Sequence, residues 1–398
     1  MNGVMRSVVL LGVCLQLGLA RADRYPGWRP GELDIHLIHT GVGEQSFFML
    51  PDGTTMLIDC GETTRPPAYV AAIPPKPSGE RPAGEWVRRY IGRLTGAREI
   101  DYLLVTHWHE DHIGGVPDVA KAYRFGTFLD HQHPYRRARA SDVDEKAYVR
   151  FMGWLASARA ESLQEVPFKV GARNQIRLRH DAEGRFADQF EIRNIAANGV
   201  VWDGTSGVRD CASEHLRATG EDKLSENMLS AVIRIRYGRF SYYTGGDVER
   251  EYVAAGGERY SYEGLVGSRV GPVDVCKANH HAYWSAMKEP FIREVRPQVF
   301  VVNSWSPNQI NDRNLPTMTS RELYAGSRTV FFGCIPEEKR RAYAGRDFMK
   351  DVSPAAGHIV VKVAPGGETF RVFVLDAGDE SMTVLSSREW KSGGSARP

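Results

Sequence analysis

From about residue 33 onward the chain alternates short apolar runs with breaks rich in Gly and Pro. Leu33-Asp34-Ile35-His36-Leu37-Ile38, Ser46-Phe47-Phe48-Met49-Leu50 and Met56-Leu57-Ile58-Asp59-Cys60 are separated by Gly41-Val42-Gly43 and by the turn Pro51-Asp52-Gly53. Runs of this length between turn residues predict strands joined by tight connections. Residues 64–84 carry many prolines and read as a loop, after which Trp86, Tyr90 and Leu94 recur at near-helical spacing and predict an amphipathic helix over 85–94. Asp101-Tyr102-Leu103-Leu104-Val105-Thr106 is a strand of the buried type, and Gly114-Gly115 with Pro117 starts a helix soon after it.

The second half repeats this grammar. Residues 229–236 and 240–244 flank Tyr237-Gly238 and predict a hairpin ending in Gly245-Gly246-Asp247. Strands are expected at 273–277, 298–303 and 329–332, and a last hairpin pairs 358–363 with 369–375 across Pro365-Gly366-Gly367. Residues 135–225 are the least regular part: Arg-rich, then Gly- and Asp-rich, with a helix at 148–158 and a polar stretch from 203 to 226. They are expected to be an insertion forming a lid or rim. The tail, 377–398, ends in Lys391-Ser392-Gly393-Gly394-Ser395 and is expected to be disordered. Mixed strands and helices in both halves predict an α/β fold of two sheets packed face to face with helices outside.

Composition narrows the class. With 42% hydrophobic and 25% charged residues over 398 positions the chain can bury a large core. Arg6, the apolar run 8–19 and Ala20-Arg21-Ala22 read as a cleaved export signal over 1–22, leaving 23–376 as the folded unit and implying a secreted or periplasmic protein. The run is shorter than the roughly 20 residues a membrane span needs, so no span is expected. Loss of Arg6 and Arg21 would bring the 51 Lys and Arg level with the 49 Asp and Glu, which argues against general nucleic-acid binding despite the local cluster of Arg136, Arg137 and Arg139. Cys60, Cys211, Cys276 and Cys334 permit two disulfides or buried free thiols.

The chemistry lies where the buried strand ends, in His107-Trp108-His109-Glu110-Asp111-His112. His107 and His109 can project to one side of a chain leaving a strand, while Asp111 and His112 reach a second point a few Å away. Imidazole and carboxylate together suit zinc, with manganese open, and two metals about 3.5–4 Å apart can hold a bridging hydroxide. Trp108, between two of these groups, reads as a packing residue. No Gly-x-x-x-x-Gly-Lys-Ser/Thr loop and no Gly-x-Ser-x-Gly elbow is present, so nucleotide-dependent and serine chemistry have no support.

His107, His109, Asp111 and His112 match the H-x-H-x-D-H signature, and in this the sequence resembles the metallo-β-lactamase superfamily. Its motif order resembles the branch that includes the C-terminal domain of competence DNA-uptake channels and the phosphorylcholine esterases. The matching residues are Leu50-Pro51-Asp52-Gly53 with Leu57-Ile58-Asp59-Cys60-Gly61, Asn227 with Ser230, Thr244-Gly245-Gly246-Asp247 and His280-His281. The resemblance implies a four-layer αββα sandwich and a hydrolase holding two Zn2+ ions per chain.

It further implies that Asp247 bridges the metals, that His281 completes the second one, and that His280 is an acid or orienting group. Asp111 and His280 become the catalytic candidates, with Asp59 and Asn227 supporting the ligands from behind. Two departures stand out. His131, His133, His180 and His215 are mid-chain candidates without a matching motif for a further ligand, where the branch suggests Asn227 instead. Tyr283-Trp284 follows the histidine pair where the branch has Gly-Ser, so aromatics would narrow the pocket or stack on a ring or a quaternary ammonium. The branch favours a small-molecule or cell-envelope phosphoester as substrate. A β-lactam or lactone, and a metal-binding domain without catalysis, are the alternatives.

Overall fold

A computed structural model describes residues 23–62, 73–131 and 145–393. Residues 1–22, where an export signal is expected, His133 and the Arg136–Arg139 cluster lie outside the described residues. The chain opens as an antiparallel meander of β1 (Leu33–Leu37), β2 (Gln45–Met49) and β3 (Thr55–Cys60). Helix α1 (Ala83–Leu94) returns it so that β4 (Glu99–Val105) runs parallel to β3. Two short helices, α2 (Glu110–Ile113) and α3 (Val116–Val119), then precede β5 (Arg124–Asp130), and α4 (Glu145–Ala160) leads to β6 (Gln164–Pro167), both strands again parallel.

A second sheet starts with β7 (Phe190–Ala197), β8 (Val200–Trp202) and β9 (Val208–Asp210). After α5 (Cys211–Thr219) come the hairpin strands β10 (Val232–Tyr237) and β11 (Phe240–Thr244). A small ribbon of β12 (Glu251–Val253) and β13 (Arg259–Ser261) and helix α6 (Tyr262–Val270) lead into β14 (Val275–Lys277). Helices α7 (Glu289–Val295) and α8 (Asn314–Thr319) connect it to parallel strands β15 (Val299–Val302) and β16 (Thr329–Phe332). Past α9 (Glu337–Ala342), β17 (His358–Val363), β18 (Thr369–Leu375) and β19 (Val384–Lys391) return to the first sheet. The sheets have nine and eight strands, in the orders β19-β18-β17-β1-β2-β3-β4-β5-β6 and β16-β15-β14-β11-β10-β7-β8-β9.

Side-chain alternation explains the layering. Met56, Ile58, Tyr102 and Leu104 face inward and share a core with Ile233, Ile235 and Tyr242 of the second sheet. Their neighbours Leu57, Leu103 and Val105 face outward, where Val87 and Ile91 of α1 and Phe151 of α4 cover them. Across the molecule Tyr243, Cys276 and Phe300 pack beneath Val266 of α6 and Phe291 of α7. Strands buried on both faces read as near-continuous apolar runs, which is what the sequence shows at 56–58 and 102–105. The result is the αββα sandwich. Strands β4, β11 and β14 end at one rim of it, and the chemistry-bearing segments emerge there.

Two expectations change. The tail is ordered through residue 393: β19 pairs with β18 from Thr369↔Lys391 to Leu375↔Val384, and Trp390 stacks on Phe370 at 5.5 Å and 8°. Its polar stretch Ser386-Ser387-Arg388-Glu389 is the composition of an edge strand. The span 135–225 is more than a rim, because β6 belongs to the first sheet and β7, β8 and β9 to the second. Strand β7 was hidden by Glu191, Arg193 and Asn194 interleaved with Phe190, Ile192 and Ile195. Among the described residues Cys60, Cys211, Cys276 and Cys334 are free thiols, one of the two states the sequence allowed. No helix among the described residues is long and apolar enough to cross a membrane.

Candidate metal centre

The cradle begins behind the ligands. Asp59, at the end of β3 with φ 57°, accepts hydrogen bonds from Thr106 N at 2.8 Å, Thr106 Oγ1 at 2.7 Å and His112 Nδ1 at 2.8 Å. Both of its oxygens are thereby engaged, so it fixes the turn out of β4 and aims His112 Nε2 forward. His107 Nδ1 lies 3.1 Å from Thr106 Oγ1 and 3.4 Å from Ser230 Oγ, which leaves Nε2 facing His109 Nδ1 at 3.1 Å and Asp247 Oδ2 at 3.9 Å.

Asp247 arrives from the loop after β11, where Gly246 (φ 52°) lets the backbone pass Thr106 and Ser230; a Cβ there would sit 2.6 Å from Thr106 Oγ1. Ser230 Oγ accepts the Asp247 amide at 3.1 Å. The histidine pair follows β14 in a tight turn: His280, His281 and Ala282 have φ of 42°, 50° and 59°. Non-glycine residues in this region each cost roughly 1–3 kcal/mol, and such strain persists where the surrounding structure holds it. His281 donates Nδ1–H to the Asn303 carbonyl at 3.1 Å, presenting Nε2 to Asp111 Oδ2 at 3.2 Å and Asp247 Oδ2 at 3.4 Å. His280 Nδ1 lies 2.6 Å from Glu249 Oε2, and its Nε2 lies 3.7 Å from Asp247 Oδ2.

The structure therefore brings His107, His109, Asp111, His112, Asp247, His280 and His281 together. Asp247 Oδ2 is the centre, within 3.2–3.9 Å of nitrogens from His107, His112, His280 and His281. His112 Nε2 and Asp247 Oδ1 are buried without hydrogen-bond partners. Imidazole nitrogens and carboxylate oxygens converging with orphaned buried atoms among them fit divalent cations, which would satisfy what the protein leaves open. His107 Nε2 faces both His109 Nδ1 and Asp247 Oδ2, and His281 Nε2 faces both Asp111 Oδ2 and Asp247 Oδ2.

Electrostatics agree with this reading. Burial alone would raise the Asp247 carboxyl, but His281, His112 and His280 outweigh it and hold the group well below its ordinary value. Asp111 is likewise lowered, its burial outweighed by His112 and His281. Burial would lower His112 and His281, yet the carboxylates around them, Asp247 foremost, raise both well above an ordinary histidine. His107 is held low by burial and by the neighbouring His112, so it stays neutral with a lone pair to give. Cations entering here would displace protons.

Sequence reasoning missed a buried layer of charge beneath the cradle. Ligand atoms of Glu44, His112, Asp247 and His281 lie within 4.8 Å of one another. Glu44 Oε2, however, is 2.6 Å from Lys277 Nζ and 3.2 Å from His281 Nδ1, so it sits behind His281 as support. Lys277 also donates to the Gly246 carbonyl at 2.9 Å, tying the turn before Asp247 to the strand that leads to His281. A lysine directly after the apolar Val275-Cys276 was the available signal, since a buried ammonium demands a partner. Glu249 was missed too. It joins Asn227 Nδ2 at 3.0 Å to His280, which places Asn227 behind the histidine pair while its Oδ1 has no partner. His131 binds Glu226 at 2.8 Å and packs on Trp108; His180 and His215 pair with Asp101 and Glu221. Trp108 is 1% exposed, a packing residue as expected.

Residues 39–151 match the family model of the Metallo-beta-lactamase superfamily. An atrochrysone carboxyl ACP thioesterase of Aspergillus fumigatus is 45% identical over 40 residues, a tenth of each chain. Among solved structures, CmlA, a diiron β-hydroxylase from Streptomyces venezuelae, is 14% identical with a TM-score of 0.41, covering 84% of this chain and 55% of its own. A diphosphatase of the PhnP family is 10% identical with a TM-score of 0.36, covering 83% of this chain and 97% of its own. The chain thus spans a tenth of the matched curated relative and about half of CmlA. The matched segment runs from the loop after β1 into α4 and contains every residue from His107 to His112, so the similarity to the metallo-β-lactamase superfamily covers this segment, within a sandwich of αββα layering.

Proposed function

We propose that the chain is an exported, metal-dependent hydrolase of phosphoesters or phosphodiesters, with His107, His109, Asp111, His112, Asp247 and His281 as ligands to two cations, zinc by preference and manganese as the alternative. The carrying observation is the convergence of four imidazoles and Asp111 around Asp247. When bound, divalent cations at such a donor set supply Lewis acidity and an ionised water.

The chain's own residues divide the remaining work. Asp111 and His280 are 19% and 21% exposed on their side chains, whereas Asp247 and His281 are each only 2% exposed, so Asp111 and His280 are the groups that substrate can meet. With Nδ1 held by Glu249, His280 has Nε2 as the atom that can hold a proton for a departing oxygen. Glu44, Asp59 and Asn303 each fix the far nitrogen of a ligand histidine, so the donors are set before any cation arrives.

Charge supports a phosphoester over a β-lactam, a lactone or a domain without catalysis. Two dications would outweigh Asp111 and Asp247, the carboxylates on the open side of the cradle, with Asp59 and Glu249 held behind the histidines, and an anionic ester would answer that better than a neutral amide. The motif order of the competence and phosphorylcholine esterase branch supports the same choice. Export rests on Arg6, the run 8–19 and Ala20-Arg21-Ala22; fractionation of cells making the full chain tests it, and retention of an unprocessed chain in the cytosol overturns it. For the activity, the zinc- or manganese-loaded protein should hydrolyse bis-p-nitrophenyl phosphate, and Asp247→Ala should lose about 100-fold or more of that rate. Turnover of a chromogenic cephalosporin in place of the phosphodiester would overturn the substrate reading.

A further inference from the structure

Beside the cradle stands an aromatic ledge that the catalytic machinery does not use. The left-handed turn at 280–282 delivers Tyr283 and Trp284 directly from the histidine pair. The Tyr283 ring lies 5.2 Å from that of His280, and Trp284 lies 6.0 Å further on. Trp284 is 49% exposed, while every other described tryptophan is buried or half-buried. Leaving an indole in water forgoes the stabilisation that burial would give it.

The ledge is held rigidly. Asn314, 1% exposed, donates to the carbonyls of Ala282 at 2.9 Å and of Tyr283; Asn311 donates to Ala282 O at 3.1 Å; and Lys288 donates to the carbonyl of Trp284. Trp284 is thus an exposed ring on a fixed backbone. A mobile surface side chain would not need two asparagines and a lysine beneath it.

Charge decides what the ledge takes. The Arg313 guanidinium lies 5.8 Å from the Trp284 ring centre, and Lys288 sits on its carbonyl. A quaternary ammonium laid on this ring would meet two cations, so the ordinary attraction of a cation to indole is opposed here. A neutral aromatic ring meets no such penalty, stacks on Tyr283 and Trp284, and gains from Arg313. We propose that Tyr283, Trp284 and Arg313 form a subsite for an aromatic or heteroaromatic group carried by the phosphoester, its phosphorus in the cradle and its ring on the ledge. This rests on the phosphoester reading and adds the class of substituent.

The test is binding, without turnover. Calorimetric titration of the zinc-loaded protein with phenylphosphonate and with methylphosphonate should show the phenyl compound binding roughly three- to tenfold more tightly, the size of one stacking contact. Trp284→Ala should bring the ratio to about one and Trp284→Phe should restore most of it; the side chain is half exposed, so neither change threatens the fold. Equal affinity for the two phosphonates, or tighter binding of phosphorylcholine than of phenylphosphonate, overturns the subsite and leaves the phosphoester reading intact. Failure of the loaded protein to bind any of these phosphorus anions overturns that reading and the subsite with it.

Discussion

Lys277→Met isolates the buried charge layer on which the cradle rests. Lys277 and Glu44 have side chains 0% and 1% exposed with Nζ and Oε2 2.6 Å apart, and Glu44 also lies 3.2 Å from His281 Nδ1. Methionine nearly conserves volume, so the loss is electrostatic: a carboxylate is left inside the protein with only His281 and the more distant His112 to answer it. Breaking one side of such a pair costs about 3–5 kcal/mol. For a fold of this size, with an unfolding entropy of roughly 2 cal/mol/K per residue, that is a Tm fall of about 4–6 °C in the metal-free protein. Scanning calorimetry with chelator present reads it directly. The double variant Lys277→Met/Glu44→Gln removes the stranded charge while keeping an acceptor for His281 and should recover more than half of the loss. A single variant that melts within about 1 °C of wild type, or a double variant worse than the single, would refute the reasoning.

Other consequences are as definite. Asp59→Ala should weaken metal binding about 10- to 100-fold without removing a ligand, measured by competition with a chromogenic chelator, because His112 loses the group that aims it. Truncation after Asp376 should destabilise the fold by several kcal/mol in urea denaturation, since β19 covers Phe370 and Phe331 with Trp390; an unchanged midpoint would return the tail to disorder. Acid should weaken the metal-free fold through His39 and His358, which burial lowers to about 4 and about 3 from an ordinary 6.5. Their contribution is complete above pH 6.5 and is lost as pH falls through those values. His358→Gln, which keeps an acceptor for the His39 amide, should therefore flatten the loss of unfolding free energy between pH 6.5 and 4.

Much of this architecture was legible because local and global signals agree. Strands such as 56–60 and 102–105 are buried on both faces, so their composition alone marks them, and the motif at 107–112 is local enough to read directly. What escaped depends on partners distant in sequence. Glu44 means little until Lys277 and His281 fold against it, and Glu249 means little until the strained turn at 280–282 brings His280 onto it. Strands β7 and β19 escaped for another reason: polar residues interrupt both, and only pairing with β10 and β18 makes a strand favourable there. The mid-chain histidines illustrate the opposite error, since His180 and His215 are the right residue type and lie against Asp101 and Glu221.

The central claim is that distant segments assemble donors for a pair of cations around Asp247. Elemental analysis of the purified chain after zinc loading and desalting tests it most directly, run beside Asp247→Ala. The account predicts close to two ions per wild-type chain and a loss at both positions in the variant, because one carboxylate serves both donor groups. Fewer than about one ion per wild-type chain, or an Asp247→Ala protein that holds as much metal as wild type, would contradict it.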